Sequence, residues 1–545
     1  MNPRAALRSA GALSVTGLML LLAACSGSSS SDEGTDASAL TQANTFGTVS
    51  SSLDVLKWNF PAEPNTLDPT TTGGYAGTTI VASTCDSLTY QTADFEIKPH
   101  LATPTQVSPT KVTLDINTDA TFWDGKPVTP ADVIYSLEKS ASPTAYYNFA
   151  FTYVKDMKQT GAHQVTVTFT QPDELFVKEL SSNVGTVWEK AYAEKAGDKY
   201  GTAEGGIMCS GPLELSDWTP GQSITLTKNP DYWDPTFEAQ SDEIDISFVA
   251  DSSAVTQGLL SGDLDGASNL AASTIDSLSD TDAGTLVSGQ TITQTYLALT
   301  NPGGRTGSTD LRKAIFGSLD RDTIASSIYQ GAAEGAYTAI PSDYWESDAT
   351  DIYEPAYESY EADRNLSTED AKALVEKSGY DGETLTLAYA AGDATVQLMA
   401  QYLQQQMATI GVDLKLKSLQ TAAYSNVLYS SEARKDIDFV IFDNYGYTLD
   451  PVESLAFFFG TGQVFNFTDW DDAAVQKGIA KLRTTFDTTK RVTEFVKLQD
   501  AWETELPLTT IVVPRALTFV GDGIGGVTTS AAANLQPSLA LIGAE

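Results

Sequence analysis

Residues 1–25 decide where this chain has to fold. Arg4 and Arg8 precede an apolar run from Gly11 to Leu22, which ends in Leu22-Ala23-Ala24-Cys25. At roughly 1.5 Å of rise per residue, such a run falls short of the roughly twenty residues that a bilayer span needs. Basic residues, a short apolar core and a small-residue cleavage site together predict a secretory signal over 1–24, removed on export. What remains is expected to fold outside the cytoplasm, in an oxidising compartment. No later segment reaches the run of about eighteen apolar residues typical of a membrane helix.

Leu-Ala-Ala-Cys resembles the bacterial lipobox, in which Cys25 becomes the mature N-terminus and carries acyl chains that enter the membrane. Serine, glycine and acidic residues follow Cys25, and the chain stays polar to about Ser52. That composition buries too little surface to order itself, so 25–52 reads as a flexible tether holding the protein to the outer face of the cell membrane.

The chain carries 71 acidic against 32 basic residues, a formal charge of −39, and losing Arg4 and Arg8 with the signal makes it more negative still. A surface of that sign repels phosphate backbones and excludes nucleic acid as a partner. Beyond Cys25 the only cysteines are Cys85 and Cys209. One disulfide between them is the economical reading; two buried thiols too far apart to bridge are the alternative.

Roughly five hundred residues exceed what one core usually supports, so two or three lobes are expected. The pattern is α/β, with no short internal repeat. Val112, Leu114 and Ile116 alternate over Lys111 to Ile116, and Thr129-Pro130-Ala131-Asp132 then has the form of a capping box with proline at the first helical position. Leu213 to Trp218 and Ser223 to Lys228 form a hairpin about Pro220-Gly221. Strand Leu385 to Tyr389, a helix from about Ala394 to Ile410, Gly411 as its stop and strand Val412 to Leu416 make a βαβ crossover. The apolar strand Phe439 to Phe442 runs into a polar loop, Asp443 to Pro451. Ligands in α/β sheets bind at loops leaving strand C-termini, so this loop is the first site candidate.

Two histidines, His100 and His163, supply neither a histidine triad nor a zinc site and read as structural residues. Gly521-Asp522-Gly523-Ile524-Gly525-Gly526 fits a dinucleotide fingerprint, but too little chain follows for the βαβ unit that would use it, so it reads as a surface turn. Asp263-Leu264-Asp265-Gly266 starts like a calcium loop without the ligand series behind it. No catalytic residue, metal site or cofactor is expected, and the chain does not read as an enzyme.

A series of segments then matches one family in order: Glu63-Pro64-Asn65-Thr66-Leu67-Asp68-Pro69, Cys85-Asp86-Ser87-Leu88-Thr89-Tyr90, Ile97 to Ala102, and Phe122-Trp123-Asp124-Gly125-Lys126-Pro127-Val128-Thr129-Pro130-Ala131-Asp132-Val133. Ser210-Gly211-Pro212, Lys228-Asn229-Pro230-Asp231-Tyr232-Trp233, Asp310 to Ile315, Leu319-Asp320-Arg321, Ile410-Gly411-Val412 and Asp450-Pro451 complete it. Across nearly the whole mature chain this resembles the family 5 extracellular solute-binding proteins, the dipeptide, oligopeptide and nickel binders. The resemblance implies a type II periplasmic-binding-protein fold: two lobes, an extra subdomain in the N-terminal lobe, and two hinge crossings, placed near Tyr296 to Thr300 and Leu508 to Val513. It further implies a monomer that gives up its solute to an ABC permease with its ATPase. Lobe I is expected over 53–90, 205–297 and 509–545, its subdomain over 91–204, and lobe II over 298–508.

In the family's peptide binders an aspartate shortly before the Asp-Pro pair receives the peptide ammonium. Counted back from Asp450-Pro451, Tyr447 holds that place here and Asn444 holds the place of the usual tryptophan. The arginine that clamps a dipeptide carboxylate is likewise missing from Ala390-Ala391-Gly392-Asp393. A zwitterionic dipeptide is therefore not the expected best ligand; a longer or blocked peptide, a sugar or another amphiphilic solute stays open. Asn444, Tyr445 and Tyr447 are the candidate contacts, with Gly73, Gly74 and Tyr75 opposite them. A sensor lipoprotein without transport, on the same fold, is the other reading.

Overall fold

The computed structural model describes residues 40–341, 349–446, 448–463 and 465–545. The signal segment 1–24, Cys25 and Tyr447 lie outside the described residues. Two large sheets organise the rest. The first has eight strands, in the order Thr41–Gln42, Gly284–Gly289, Ala516–Gly521, Gly266–Ser268, Leu53–Asn59, Ser241–Ser247, Ser223–Lys228, Leu213–Thr219. The second has six, in the order Ala333–Gly335, Leu508–Pro514, Thr293–Leu299, Phe439–Tyr445, Leu385–Ala390, Leu414–Leu419. A separate four-stranded sheet, Ala102–Ser108, Lys111–Ile116, Gln164–Phe169 and Val154–Gly161, has its own core around Val112, Leu114, Val165 and Val167. We call the bodies built on the eight- and six-stranded sheets the first and second lobes; the four-stranded sheet is a subdomain of the first.

Several local readings hold in detail. Thr129 caps the helix Pro130–Ser140, and the capping box with Asp132 is closed in both directions. The crossover Leu385–Ala390, Ala394–Thr409, Leu414–Leu419 joins parallel neighbours. Its second strand starts two residues later than expected. Gly411 adopts φ of 86° and the Val412 amide bonds back to the Met407 carbonyl at 2.9 Å, so the helix-ending turn holds the chain until Leu414. Cys85 and Cys209 form a disulfide, their Cα atoms 4.8 Å apart.

Other expectations need correction. The second half of the expected tether is structured. Thr41–Gln42 pairs in parallel with Val287 and Ser288, Thr45–Phe46 pairs with Val527–Thr528, and the Ser50 amide donates to the Ala544 carbonyl at 2.8 Å. A polar segment can be held without a core of its own when a sheet edge offers unpaired backbone groups. The passages between the two large sheets also lie elsewhere. Tyr296 to Thr300 and Leu508 to Val513 belong almost wholly to strands of the second sheet, so the boundaries expected at 297/298 and 508/509 cut through or abut strands. The chain instead passes between the sheets at Gln290 to Ile292 and again at Arg515. Two adjacent antiparallel strands of one sheet run directly into both passages, a pairing that sequence does not display.

Candidate functional site

A cleft of about 860 Å³ opens between the two lobes. The first lobe contributes the residues after strand Leu53–Asn59, the segment Gly73 to Tyr75 and the Ser268 to Ser273 stretch; the second contributes Gly392 to Val396, Asp443 and Gly446. Both passages, at Thr291 to Thr293 and Pro514 to Ala516, form its back. The cleft therefore sits at the carboxyl ends of strands in both sheets, where the crossovers leave room for a ligand.

Gly73, Gly74 and Tyr75, the candidate contacts of the first lobe, line the cleft wall. Gly74 takes φ of 76°, a left-handed conformation that costs a side-chain-bearing residue free energy, and it caps the helix Tyr75–Thr84. Burial pushes the Tyr75 phenol well above its ordinary range, so it is a neutral hydroxyl. The Asp443 to Pro451 segment differs from expectation. Asp443, Asn444 and Tyr445 extend the strand, because Thr295, Gln294 and Thr293 offer antiparallel partners. Alternation along a strand then sends Asn444 to the face opposite Asp443, and Asn444 does not line the cleft. Pro451 starts the helix Pro451–Phe459, capped by Asp450.

Like Gly446, Asp443, which follows the expected apolar run, reaches the cleft. Its cross-strand partner Thr295 donates to Oδ1 at 2.6 Å, and the Tyr329 hydroxyl lies 3.4 Å from the same threonine oxygen. Asp443 is open to cleft solvent, yet the walls around it withdraw enough water to push its carboxyl up to about 6; the Thr295 hydroxyl opposes the shift and the Asp393 charge adds to it. Asp393 caps the helix Ala394–Thr409, accepting from the Thr395 and Val396 amides at 2.8 and 3.1 Å through one oxygen. On the first lobe, Asn183 lines the cleft at 4 % exposure, and its Nδ2 has no hydrogen-bond partner among the described residues. A buried donor left so costs about 1–3 kcal/mol, which an acceptor on a bound solute would recover. Sequence reading missed Asp443, Asp393 and Asn183 as individual residues, and only the first two carried a signal, as polar residues at strand ends.

Among the described residues no group of three histidine, cysteine or acidic side chains is placed to hold a metal, and no helix is long and apolar enough to cross a membrane. His100 is buried, stacked edge-on with Tyr90 and 3.2 Å from the Tyr232 hydroxyl, and is not among the residues lining the cleft.

The sequence profile of bacterial extracellular solute-binding proteins, family 5 Middle, matches residues 96–466. The probable D,D-dipeptide-binding periplasmic protein DdpA of Escherichia coli is 25 % identical over 460 residues, covering 82 % of this chain and 86 % of that protein. The oligopeptide-binding protein OppA of Bacillus subtilis is 23 % identical over 492 residues, covering 84 % and 87 %. The crystal structure of the ABC transporter substrate-binding protein CtaP from Listeria monocytogenes superposes with a TM-score of 0.79 at 20 % identity, covering 90 % of this chain and 99 % of that one.

Proposed function

The chain belongs to the bacterial extracellular solute-binding proteins of family 5, and from that premise we propose that its inter-lobe cleft captures a peptide-like solute outside the cell for delivery to the permease of an ABC importer. The observation that carries this reading is the cleft itself. It is large enough for a small peptide, it lies between two bodies joined by two short passages, and its walls mix aromatic faces with unspent polar groups such as Asn183. Rotation about Gln290 to Ile292 and Arg515 would close the lobes over the solute, and the permease would read the closed form.

On this reading the protein breaks no covalent bond. Tyr75 supplies an aromatic face with a neutral hydroxyl, Gly73 and Gly74 allow close backbone approach, and Asn183 donates to a carbonyl. Lipid on Cys25 would hold the protein at the membrane as a monomer. Mass spectrometry of the solute that co-purifies with the protein tests the ligand class, and recovery of a non-peptide solute alone would overturn it. Cys25→Ala tests the anchor: the protein should move from the membrane fraction to the medium or periplasm.

A further inference from the structure

Between the subdomain of the first lobe and the second lobe lies a buried cluster of charged side chains that solute capture does not use. Arg483, which ends the helix Ala473–Arg483, lies 2.9 Å from Asp173 and 3.4 Å from Glu179. Lys178 lies 3.0 Å from Glu174 and 3.0 Å from Asp450. Arg491, on the helix Thr488–Glu505, pairs with Asp450 and lies 3.2 Å from Glu174. Among the described residues the cluster thus sets four carboxylates against three cations. Tyr153 packs against the Arg483 guanidinium, 5.1 Å from ring centre to Cζ, and Glu453 lies buried in the first turn of the helix that Asp450 caps.

One oxygen in this cluster is left over. Glu179 Oε1 is buried and has no hydrogen-bond partner among the described residues, and its side chain is 3 % exposed. An ionised carboxylate in that position is costly, because water is excluded and no donor replaces it. A proton on Glu179 removes the cost and leaves three carboxylates against three cations. Burial pushes the Glu179 carboxyl up to about 7; Arg483 opposes the rise, and Asp173, Asp450 and Glu174 add to it.

The cluster borders the cleft. Ser182 and Asn183, just beyond Glu179, line it from the first lobe, and Gly446, just before Asp450, lines it from the second. The covalent joints between the lobes are the passages at Gln290 to Ile292 and at Arg515, so a rotation about them that widens the cleft draws Asp173 away from Arg483 and wets the ions between. We propose that this cluster is a proton-held latch: with a proton on Glu179 the subdomain stays seated on the second lobe, and loss of that proton to solvent releases it. Without the proton the buried cluster carries one uncompensated negative charge, which is solvated only when the lobes part. The latch is therefore closed below about pH 7 and opens above it. This holds whichever solute the cleft takes.

Small-angle X-ray scattering of the solute-free protein, purified from cells expressing the full chain, tests this at pH 5.5 and pH 8.5. The radius of gyration should be larger at the higher pH, with far-UV circular dichroism unchanged. Glu179→Gln, which has no proton to lose at this position, should keep the smaller radius at both. Glu174→Gln removes the excess carboxylate and should do the same, and it serves if Glu179→Gln fails to fold. A parent protein with one radius at both pH values would overturn the inference. So would an equal expansion of parent and variants, which would trace the change to repulsion across the acidic surface, and so would an expansion accompanied by loss of circular dichroism, which would be unfolding.

Discussion

Arg483 of the second lobe donates to both carboxylate oxygens of Asp173 in the subdomain of the first, Nε to Oδ1 at 3.0 Å and Nη2 to Oδ2 at 2.9 Å. The contact belongs to a larger clasp. The Glu174 amide donates to the Arg483 carbonyl, Leu175 packs into the core of the second lobe, and Lys178 reaches Asp450 at 3.0 Å. Arg491 lies 3.2 Å from Glu174 and donates to Asp450 at 2.7 Å. Away from the two chain passages, this is where the lobes meet through ions taken out of water. Removing one partner of such a pair leaves the other buried and uncompensated, at a cost of about 3–5 kcal/mol. Arg483→Met is predicted to destabilise the protein by that order in denaturant unfolding, and Asp173→Leu added to it should restore part of the loss. An Arg483→Met protein as stable as the parent would show that the clasp contributes nothing.

The same clasp sets a pH dependence. Four carboxylates, Asp173, Glu174, Glu179 and Asp450, face three cations, Lys178, Arg483 and Arg491. One negative charge is in excess. Burial pushes the Glu179 carboxyl up to about 7 against the pull of Arg483, with Asp173, Asp450 and Glu174 adding to the rise. Glu174 is likewise pushed up to about 7, by burial and then by Asp450, whereas Asp450, for all its burial, is held below the ordinary carboxylate range by Arg491 and Lys178. Between the unfolded glutamate value of 4.5 and about 7, the folded protein holds protons that the unfolded chain has released. Stability from these groups is therefore full below the lower value and is lost as pH rises through about 7. The contribution of Asp450 has the opposite sign and goes only as pH falls below 3.8. Unfolding free energy should drop by roughly 1–3 kcal/mol from pH 5 to pH 8, and Glu179→Gln should flatten the curve. A Glu179→Gln protein with the parent's slope would rule this assignment out.

Gly266 sits beside Trp58 in neighbouring parallel strands, and a Cβ there would come within 2.2 Å of the indole ring. Trp58 is 1 % exposed and its Nε1 donates to Ser268 Oγ at 3.1 Å, so the ring is held from two sides and has nowhere to move. Gly266→Ala is predicted to lose about 1–3 kcal/mol by overpacking. Chemical denaturation measures this directly, and an unchanged midpoint would refute it.

The polar edge at Leu40 to Ser52 provides a test by truncation. Asn44 accepts the Gln290 amide through Oδ1 at 3.0 Å and the Thr529 amide through its carbonyl at 3.0 Å, and so ties the start of one inter-sheet passage to the C-terminal segment. A protein beginning at Leu53 should lose about 0.5–1.5 kcal/mol for each hydrogen bond removed. Its Gln290 and Thr529 amides should exchange with deuterium faster than those of a protein beginning at Leu40. Equal exchange at both positions would return this stretch to the role of a free tether.

Sequence by itself determined whatever depends on neighbours a few residues apart. The capping box at Thr129 and Asp132, the helix stop at Gly411 and the strands from Lys111, Leu213 and Phe439 all follow from local periodicity and local hydrogen bonds. The ordered series of segments carried the family with them. Tertiary structure decided what depends on partners far along the chain. Thr295 meets Asp443 across 148 residues and so carries that carboxylate into the cleft while turning Asn444 away; Arg483 meets Asp173 across 310. Strand register and lobe contact arise from the burial of whole faces, and a polar residue shows in its own neighbourhood neither which face it will join nor which charge will lie opposite it.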